Sequence, residues 1–248
     1  MIKAILFDMG GTIFYSDPSK PNTKIAAATA FLSYLKQQKF KVKLNVKQVI
    51  KAFKTGKKEF AIWSKSHQFA DIHPYDLLTK FYFKTAFKHL DQIKLRAVSN
   101  QLINVWKSHG SAVIRPEAKK VLKKLAKHYQ LGVISNTDSL DYVVIRLIDN
   151  NIYHYFYPGC IFLSCLAQVR KPHPTIFEVA LNALKVKPRE CVYVGDQIKK
   201  DVQGAKNAKL RACIRIESDE KNNDHKNDTK YVINNLTQIL PIIKNLNK

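Results

Sequence analysis

The amino-acid sequence predicts an α/β fold: a doubly wound parallel sheet with an inserted α-helical domain. After residue 110, short apolar runs alternate with segments of helical periodicity, which is typical of a parallel sheet covered by helices. Between residues 15 and 110, apolar residues recur at helical spacing. Three apolar runs end abruptly in a polar side chain, at Asp8, Ser135 and Asp196, as strands do when they carry functional groups to a sheet edge.

The predicted core comprises residues 1–14 and 111–248, and its first strand spans residues 3–7. The elements predicted after residue 110 are helix 117–128, strand 131–135, helix 140–149, strand 161–164, helix 175–184, strand 191–194, helix 199–208 and strand 212–216. They are followed by a polar loop at 219–229, a strand at 231–233 and a helix at 236–246 that we expect to be kinked at Pro241.

The predicted insertion, residues 15–110, is rich in lysine and aromatic residues. Its apolar residues recur at helical spacing in four places, at 31–35, 49–53, 77–81 and 98–105. This pattern predicts at least four helices packed as a small bundle. Pro18, Pro21 and Pro74 mark breaks at or near helix starts.

The amino-acid composition limits the classes of protein to which this chain can belong. Hydrophobic residues make up 46% of the 248 residues, enough for a sizeable core, so disorder is not expected. No apolar run approaches the roughly 20 residues that span a bilayer, and we predict a cytoplasmic protein without membrane attachment. The net charge of +23 favours anionic partners. Nucleic-acid binding is not predicted as the main role, because the sequence shows no arginine-rich arm or RNA-binding aromatic motif. The oligomeric state is left open.

Four short segments carry the chemistry, each at the end of a predicted element. They are Asp8-Met9-Gly10-Gly11-Thr12, Ser135-Asn136-Thr137, Lys171-Pro172 and the segment 195–201, Gly-Asp-Gln-Ile-Lys-Lys-Asp. Their order and spacing resemble those of the haloacid dehalogenase superfamily of aspartate-nucleophile hydrolases. The resemblance implies a Rossmann-like core and makes the insertion at 15–110 a helical cap domain.

The resemblance also implies catalytic roles. Asp8 is the nucleophile that attacks phosphorus to form an aspartyl phosphate, which water then hydrolyses. Lys171 neutralises charge on the phosphoryl oxygens, and Ser135 donates a hydrogen bond to one of them. Residues expected at the phosphate are Gly11, Thr12, Ser135, Asn136 and Lys171. The simpler alternatives stay open: a turn aspartate, an exposed loop lysine and a hydroxyl that caps the next turn.

The acidic residues predict a metal site. Asp8, Asp196 and Asp201 would bring three carboxylates together, and their mutual repulsion calls for a cation. Oxygen ligands with room for water suit Mg²⁺. The resemblance assigns the metal to Asp8, the backbone carbonyl of Gly10 and Asp196, with Asp201 as a ligand or a supporting residue. The alternative for Asp201 is a carboxylate placed at the start of a helix.

Gly10 limits the chemistry. In phosphatases of this family the residue two positions after the nucleophile is usually a second aspartate, which protonates the leaving group and then activates water. Glycine has no such group, and general acid–base catalysis contributes about 10²–10⁴-fold. Either the leaving group needs no proton, or another group such as Asp17, a cap residue or the substrate itself takes the role, or the protein is a slow relative.

The sequence thus predicts a Mg²⁺-dependent phosphatase of a small phosphorylated metabolite. One alternative is a phosphonatase-like or dehalogenase-like enzyme that cleaves a carbon–phosphorus or carbon–halogen bond. The phosphonatase reading requires a cap lysine that forms a Schiff base, for which Lys57, Lys58 and Lys65 are candidates. The other alternative is a non-catalytic, anion-binding relative.

Overall fold

Strands and helices alternate along most of the chain. A computed structural model describes residues 1–17, 19, 24–217 and 229–247. Its strands are β1 (Ala4–Phe7), β2 (Phe14–Ser16), β3 (Ala112–Ile114), β4 (Gln130–Ser135), β5 (Ile161–Leu163), β6 (Cys191–Gly195), β7 (Ala212–Ile216) and β8 (Tyr231–Ile233). Its α-helices are α1 (Lys24–Gln37), α2 (Val46–Ser66), α3 (Pro74–Leu77), α4 (Gln92–Ser108), α5 (Ala118–Leu125), α6 (Leu140–Asp149), α7 (Ser164–Ala167), α8 (Thr175–Leu184), α9 (Gln203–Asn207) and α10 (Ile239–Leu246).

The main sheet has six parallel strands in the order β5-β4-β1-β6-β7-β8. All four residues of β1 are apolar and fully buried. Ile5 and Phe7 pack into the hydrophobic cluster on one face of the sheet, and Ala4 and Leu6 pack into the cluster on the other. This alternation is expected for a strand covered on both faces by helices. The predicted α/β fold class is confirmed.

The helices between β2 and β3 have a hydrophobic cluster of their own. α1, α2 and α4 surround a set of aromatic side chains in which the Phe53 ring stacks on Trp106 with centroids 3.9 Å apart. Gly56 allows the close packing, because a Cβ there would stand 2.3 Å from the Tyr82 ring. Asn45 begins α2 with a capping box, in which its side chain accepts a hydrogen bond from the backbone of Gln48. A helical bundle is therefore present where the periodicity predicted one.

A two-stranded antiparallel ribbon of β2 and β3 joins the helical bundle to the sheet. The ribbon was not expected from the sequence, since each strand has only three residues. β2 crosses the expected boundary at residue 15, whereas β3 begins just after the expected boundary at residue 110. The limits 15 and 110 stay predictions.

Two predicted helices differ in detail from the structure. The segment expected to be one helix at 199–208 begins as a π-helical turn, Ile198–Val202, and only then becomes α9. A 3₁₀ turn, Leu236–Gln238, precedes α10, so Pro241 lies in the first turn of that helix, where proline is tolerated. The expected kink at Pro241 stays a prediction. The predicted loop at 219–229 lies outside the described residues except for Thr229, as do Pro18 and Pro21.

Within the part of the chain that the structure describes, no helix combines the length and the apolar composition required to cross a bilayer.

Candidate active site

The carboxyl ends of three neighbouring strands bring the predicted functional residues together. Asp8 follows β1, Ser135 ends β4 and Asp196 follows β6, and β1 lies between the other two strands. Asp201 joins them from the π-helical turn after β6. One carboxylate oxygen from each of Asp8, Asp196 and Asp201 lies within 4.8 Å of the others. The expected convergence of three acidic groups is therefore observed.

Lys171 is the centre of a buried hydrogen-bond network. Its Nζ donates to Asp8 Oδ1, to Asp201 Oδ1 and to the Tyr193 hydroxyl, each at 2.7 Å. An ammonium group has three donors, so these three acceptors satisfy it. The Lys171 side chain is only 2% exposed, which excludes the alternative of a solvated loop lysine.

Burial and charge act in opposite directions at this network. Burial raises the pKa of Asp8, and the Asp201 carboxylate adds to this effect while Lys171 opposes it. Burial also works against a charge on Lys171, but the Asp201 and Asp8 carboxylates outweigh it and raise the pKa of the lysine. Lys171 is therefore held as a cation beside the proposed nucleophile.

Both carboxylate oxygens of Asp201 accept hydrogen bonds from groups within the protein. Its Oδ2 accepts hydrogen bonds from the backbone amides of Asp196 (3.1 Å) and Gln197 (2.8 Å), and its Oδ1 faces Lys171. Gly195 makes room for it, since a Cβ there would stand 2.4 Å from the Cβ of Asp201. Asp201 thus positions the loop that carries Asp196 and the lysine that contacts Asp8. A direct role as a metal ligand would compete with these bonds.

The two glycines after Asp8 differ sharply in their surroundings. Gly11 has φ of +82°, and a Cβ there would stand 2.1 Å from Asp196 Oδ2. Both the backbone conformation and the close approach of Asp196 therefore require glycine. At Gly10, the described part of the chain places no non-neighbouring heavy atom within 4 Å of where a Cβ would stand. A side chain at position 10 would have open space.

A cavity of about 280 Å³ lies over Asp8. Gly10, Gly11, Ser135, Asn136 and Lys171 are among its lining residues, whereas Thr12 is fully buried and does not line it. Most of the residues expected at a phosphate therefore surround one space.

Asn136 has both polar side-chain atoms engaged by the backbone of one residue. Its Nδ2 donates to the carbonyl of Lys171 at 3.0 Å, and its Oδ1 accepts from the Lys171 amide at 2.9 Å. This reciprocal pair ties the end of β4 to the Lys171 loop. The side chain is thereby used to place Lys171, and the expected direct contact of Asn136 with phosphate stays a prediction.

Two residues of this site were not singled out from the sequence. Tyr193 lies fully buried in β6, and its hydroxyl contacts both Lys171 and Asp201. The sequence does carry a sign of this role: Tyr193 places a polar hydroxyl group inside the otherwise apolar run Cys-Val-Tyr-Val-Gly, where a purely structural strand residue could be apolar. Arg115 donates to the carbonyls of Gly11 (3.0 Å) and Thr12 (2.9 Å). It directly follows β3, more than 100 positions along the chain from these carbonyls, and no local pattern indicates it.

Asp17, a sequence candidate for the missing acid, does not line this cavity. Its Oδ1 accepts hydrogen bonds from the amide (2.9 Å) and the hydroxyl (2.6 Å) of Ser19, which is the geometry of an Asx turn. The structure thus gives Asp17 a local role in the turn.

The donor set fits a hard divalent cation. All three candidate groups are carboxylates, and oxygen ligands are those that Mg²⁺ prefers. Three buried carboxylates lie together and Lys171 contacts two of them, Asp8 and Asp201, so the cluster has an excess of negative charge that a cation would neutralise. Asp8 and Asp196 are the residues best placed to hold it, because Asp201 is already engaged.

A sequence profile described as haloacid dehalogenase-like hydrolase matches residues 2–209. The chain belongs to the haloacid dehalogenase-like hydrolases. The match extends from before β1 to the end of α9 and so includes all four motif segments and the helical insertion. The expected family and the expected enzyme class, a hydrolase, are confirmed.

Relatives in this family include phosphatases. A glyceraldehyde 3-phosphate phosphatase of Pyrococcus furiosus is 31% identical over 137 residues, which cover 53% of this chain and 55% of that protein. The human N-acylneuraminate-9-phosphatase is 27% identical over 152 residues, which cover 58% of this chain and 60% of that protein. The chain thus spans little more than half the length of these two relatives.

Solved structures of the haloacid dehalogenase family match nearly the whole chain. A 2-haloacid dehalogenase from Pseudomonas syringae covers 99% of both chains with a TM-score of 0.71 and 23% identity. A HAD phosphatase from Thermococcus onnurineus covers 98% of both chains with a TM-score of 0.60 and 22% identity. At this level of identity the likeness shows the shared fold.

Proposed function

We propose that this protein is a Mg²⁺-dependent phosphatase that acts on a small phosphorylated metabolite in the cytoplasm. The observation that carries the proposal is the Asp8 carboxylate, held at 2.7 Å by a buried lysine and facing a cavity at the carboxyl edge of the sheet. The acidic cluster beside it supports a metal-dependent phosphatase over a dehalogenase, since the family's dehalogenases dispense with the metal. Residues 15–110 are proposed as the cap domain.

The proposed chemistry has two displacements. An oxygen of Asp8 attacks phosphorus, a phosphorus–oxygen bond forms, and the bond to the leaving-group oxygen breaks. Water then attacks the aspartyl phosphate, which releases inorganic phosphate and restores the carboxylate. Lys171 keeps Asp8 oriented and offsets negative charge near the phosphoryl oxygens, with Ser135 as a hydrogen-bond donor. A cation bound at Asp8 and Asp196 would supply further charge neutralisation.

Gly10 narrows the proposed substrates. No side chain at this position protonates the leaving group, and general acid–base catalysis typically raises a reaction rate by about 10²–10⁴-fold. We therefore infer that the preferred substrates have leaving groups that depart as anions or carry their own proton donor.

The proposal is tested by phosphate release over a panel of phosphate esters, measured with Mg²⁺ and with EDTA. The expected result is turnover that requires Mg²⁺ and is lost in Asp8→Asn. Because Asn replaces the carboxylate with a group of the same size, thermal unfolding of Asp8→Asn serves as the folding control. Absence of Mg²⁺-dependent turnover in folded wild-type protein on every ester would contradict the proposal.

A second candidate is a phosphonatase that cleaves a carbon–phosphorus bond through a Schiff base. Lys57 and Lys58 are exposed and line a cavity that adjoins the cavity over Asp8, whereas Lys65 does not line it. Borohydride treatment in the presence of a phosphonate aldehyde would trap a covalent adduct on Lys57 or Lys58, detected by peptide mass spectrometry. An untrapped protein that hydrolyses phosphate esters would exclude this candidate.

A further inference from the structure

A second and larger cavity, of about 730 Å³, lies between the helical insertion and the end of β4. We name it the cap cleft. Lys107, Asn136 and Lys200 line both the cap cleft and the cavity over Asp8. The two spaces are therefore adjacent, and a molecule with its phosphoryl group at Asp8 would extend its leaving group into the cap cleft.

The cap cleft is strongly positive. Among the described residues, seven basic side chains line it, against one acidic side chain, Asp138. Lys107 contacts Asp138, and Arg170 lies 3.6 Å from Asp71. The basic residues therefore exceed what the acidic side chains nearby can neutralise.

Three lysines on one face of α2 carry most of this excess. Lys54, Lys57 and Lys58 are spaced three and four residues apart, so they project in the same direction. All three are exposed and line the cap cleft, and none of them forms an ion pair with any residue of the described ranges. Like charges at this spacing destabilise a helix slightly, and an anion bound between them removes that cost.

The wall beside these lysines is partly apolar. Ile50, Phe53 and Trp106 contribute to it, and the Phe53 and Trp106 rings stack on each other with centroids 3.9 Å apart. A leaving group that fits would place its carbon skeleton against this wall and a charged group among the lysines.

We propose that the substrate is a phosphate monoester whose leaving group carries a second anionic group, a carboxylate or a second phosphate, bound by Lys54, Lys57 and Lys58. This inference deepens the proposed phosphatase function and rests on it. The phosphoryl group occupies the cavity over Asp8, and the second anion lies in the cap cleft. Positive charge around the leaving group also favours its departure as an anion, which suits a site without an acid at Gly10.

The test uses three aryl phosphates: 4-carboxyphenyl phosphate, its methyl ester, and 1,4-phenylene bisphosphate. The methyl ester is neutral at the second position and has the better leaving group, so any preference for the other two reflects recognition of charge. We expect kcat/KM for at least one compound with a second anionic group to exceed that for the methyl ester by about 10- to 100-fold, as charge-assisted hydrogen bonds to lysine provide. Which of the two is preferred distinguishes a carboxylate from a phosphate.

A matched pair of variants locates the effect. The first is Lys54→Gln/Lys57→Gln/Lys58→Gln. The control is Lys47→Gln/Lys51→Gln/Lys65→Gln, which removes the same charge from the same helix at exposed positions that do not line the cap cleft. The first variant is expected to reduce the preference for the compound with a second anionic group at least about tenfold, and the control variant to keep that preference. The inference would be overturned if the wild type hydrolysed all three compounds with the same kcat/KM. It would also be overturned if both variants lost the preference for a second anionic group to the same extent.

A binding measurement separates this inference from the proposed function. Trp106 lines the cap cleft, so its fluorescence reports titration with 1,4-phenylene bisphosphate, which is done in EDTA to suppress the proposed Mg²⁺-dependent turnover. If esters are hydrolysed but the cap-cleft variant and the control bind this compound equally, the phosphatase proposal stands and the inference fails. If no ester is hydrolysed yet only the cap-cleft variant loses binding, the phosphatase proposal fails and the anion site stands.

Discussion

The buried network around Lys171 and the neighbouring cap cleft both contain lysines, but the lysines of the two regions differ in burial and in pairing. In the core, Lys171 is buried and every donor of its ammonium group has a partner. In the cap cleft, Lys57 is exposed and forms no ion pair with any described residue. Buried and fully paired charges hold a fixed geometry, as a reacting group requires. Exposed charges without partners remain available to a ligand.

The buried and the exposed lysines should also differ in how much their removal changes the free energy of unfolding. A buried ion pair is expensive to break, because the remaining partner is left charged in a medium that solvates it poorly. An exposed lysine loses little when its charge is removed, since water solvates it in any case. The same substitution should therefore have very different effects in the two regions.

The largest expected effect comes from Lys171→Met. Removing this lysine leaves the Asp8 and Asp201 carboxylates buried without their cation, so we expect the free energy of unfolding to fall by about 3–5 kcal/mol. The matched change Lys57→Met should alter it by less than about 0.5 kcal/mol. Urea denaturation at neutral pH measures both. Similar losses in the two variants would show that the contrast between the regions is wrong.

Gly11→Ala should have the next largest effect. The added Cβ meets Asp196 Oδ2 at 2.1 Å on a backbone with φ of +82°, and strain and overlap together should cost about 2–4 kcal/mol. The adjacent change Gly10→Ala has open space and provides the control. The free energy of unfolding of the two variants gives the comparison. If Gly11→Ala is as stable as Gly10→Ala, the tight contact between the first loop and Asp196 is not formed.

Gly10→Asp adds a carboxyl group to the cavity over Asp8. The open space at this position accommodates the side chain, and a general acid there should raise kcat/KM for phosphate esters with poor leaving groups about tenfold or more. Gly10→Asn is the control, because it fills the same volume without the acid. If Gly10→Asp shows unchanged or lower rates, another group already serves as the acid, or the site is shaped for different chemistry.

The smallest expected effect on stability comes from the ion pair between Lys107 and Asp138, which lies at the cap cleft. Burial alone would raise the pKa of Asp138, but Lys107 outweighs it and lowers the pKa from 3.8 to about 2. The stabilisation is therefore present above pH 3.8 and lost as the pH falls through about 2. Because both side chains are about a quarter exposed, we expect Asp138→Asn to cost about 1 kcal/mol at pH 7.

This loss should shrink as the pH falls from 3.8 to about 2, because the Asp138 carboxylate then binds a proton in the unfolded chain while it stays ionised in the folded protein. Urea denaturation at several pH values gives the dependence. Glu59→Gln is the control, since its ion pair with Lys84 lies on the surface and should contribute less than about 0.5 kcal/mol. A loss that is independent of pH would mean that Asp138 acts through its shape and hydrogen bonds and not through its charge.

Several parts of the fold and site could be predicted from the sequence because they depend on neighbouring residues. An apolar run that ends in Asp8 or Asp196 is a local pattern, and the alternation of strands and helices then places both ends on one edge of the sheet. The helical bundle followed from periodicity in the same way. The short ribbon of β2 and β3 did not, because three-residue strands have too few positions to show a pattern.

The sequence by itself determined which carboxylates reach the sheet edge, since a strand's end and direction are encoded in a few consecutive residues. Only the tertiary structure decided what each polar atom contacts. Lys171 and Asp8 are 163 positions apart, Asn136 binds the Lys171 backbone 35 positions away, and Tyr193 contacts a lysine 22 positions before it. The orientation of three α2 lysines toward a shared cleft was decided in the same way. Hydrogen-bond partners are chosen by packing among distant segments, and no local pattern of residues records that choice.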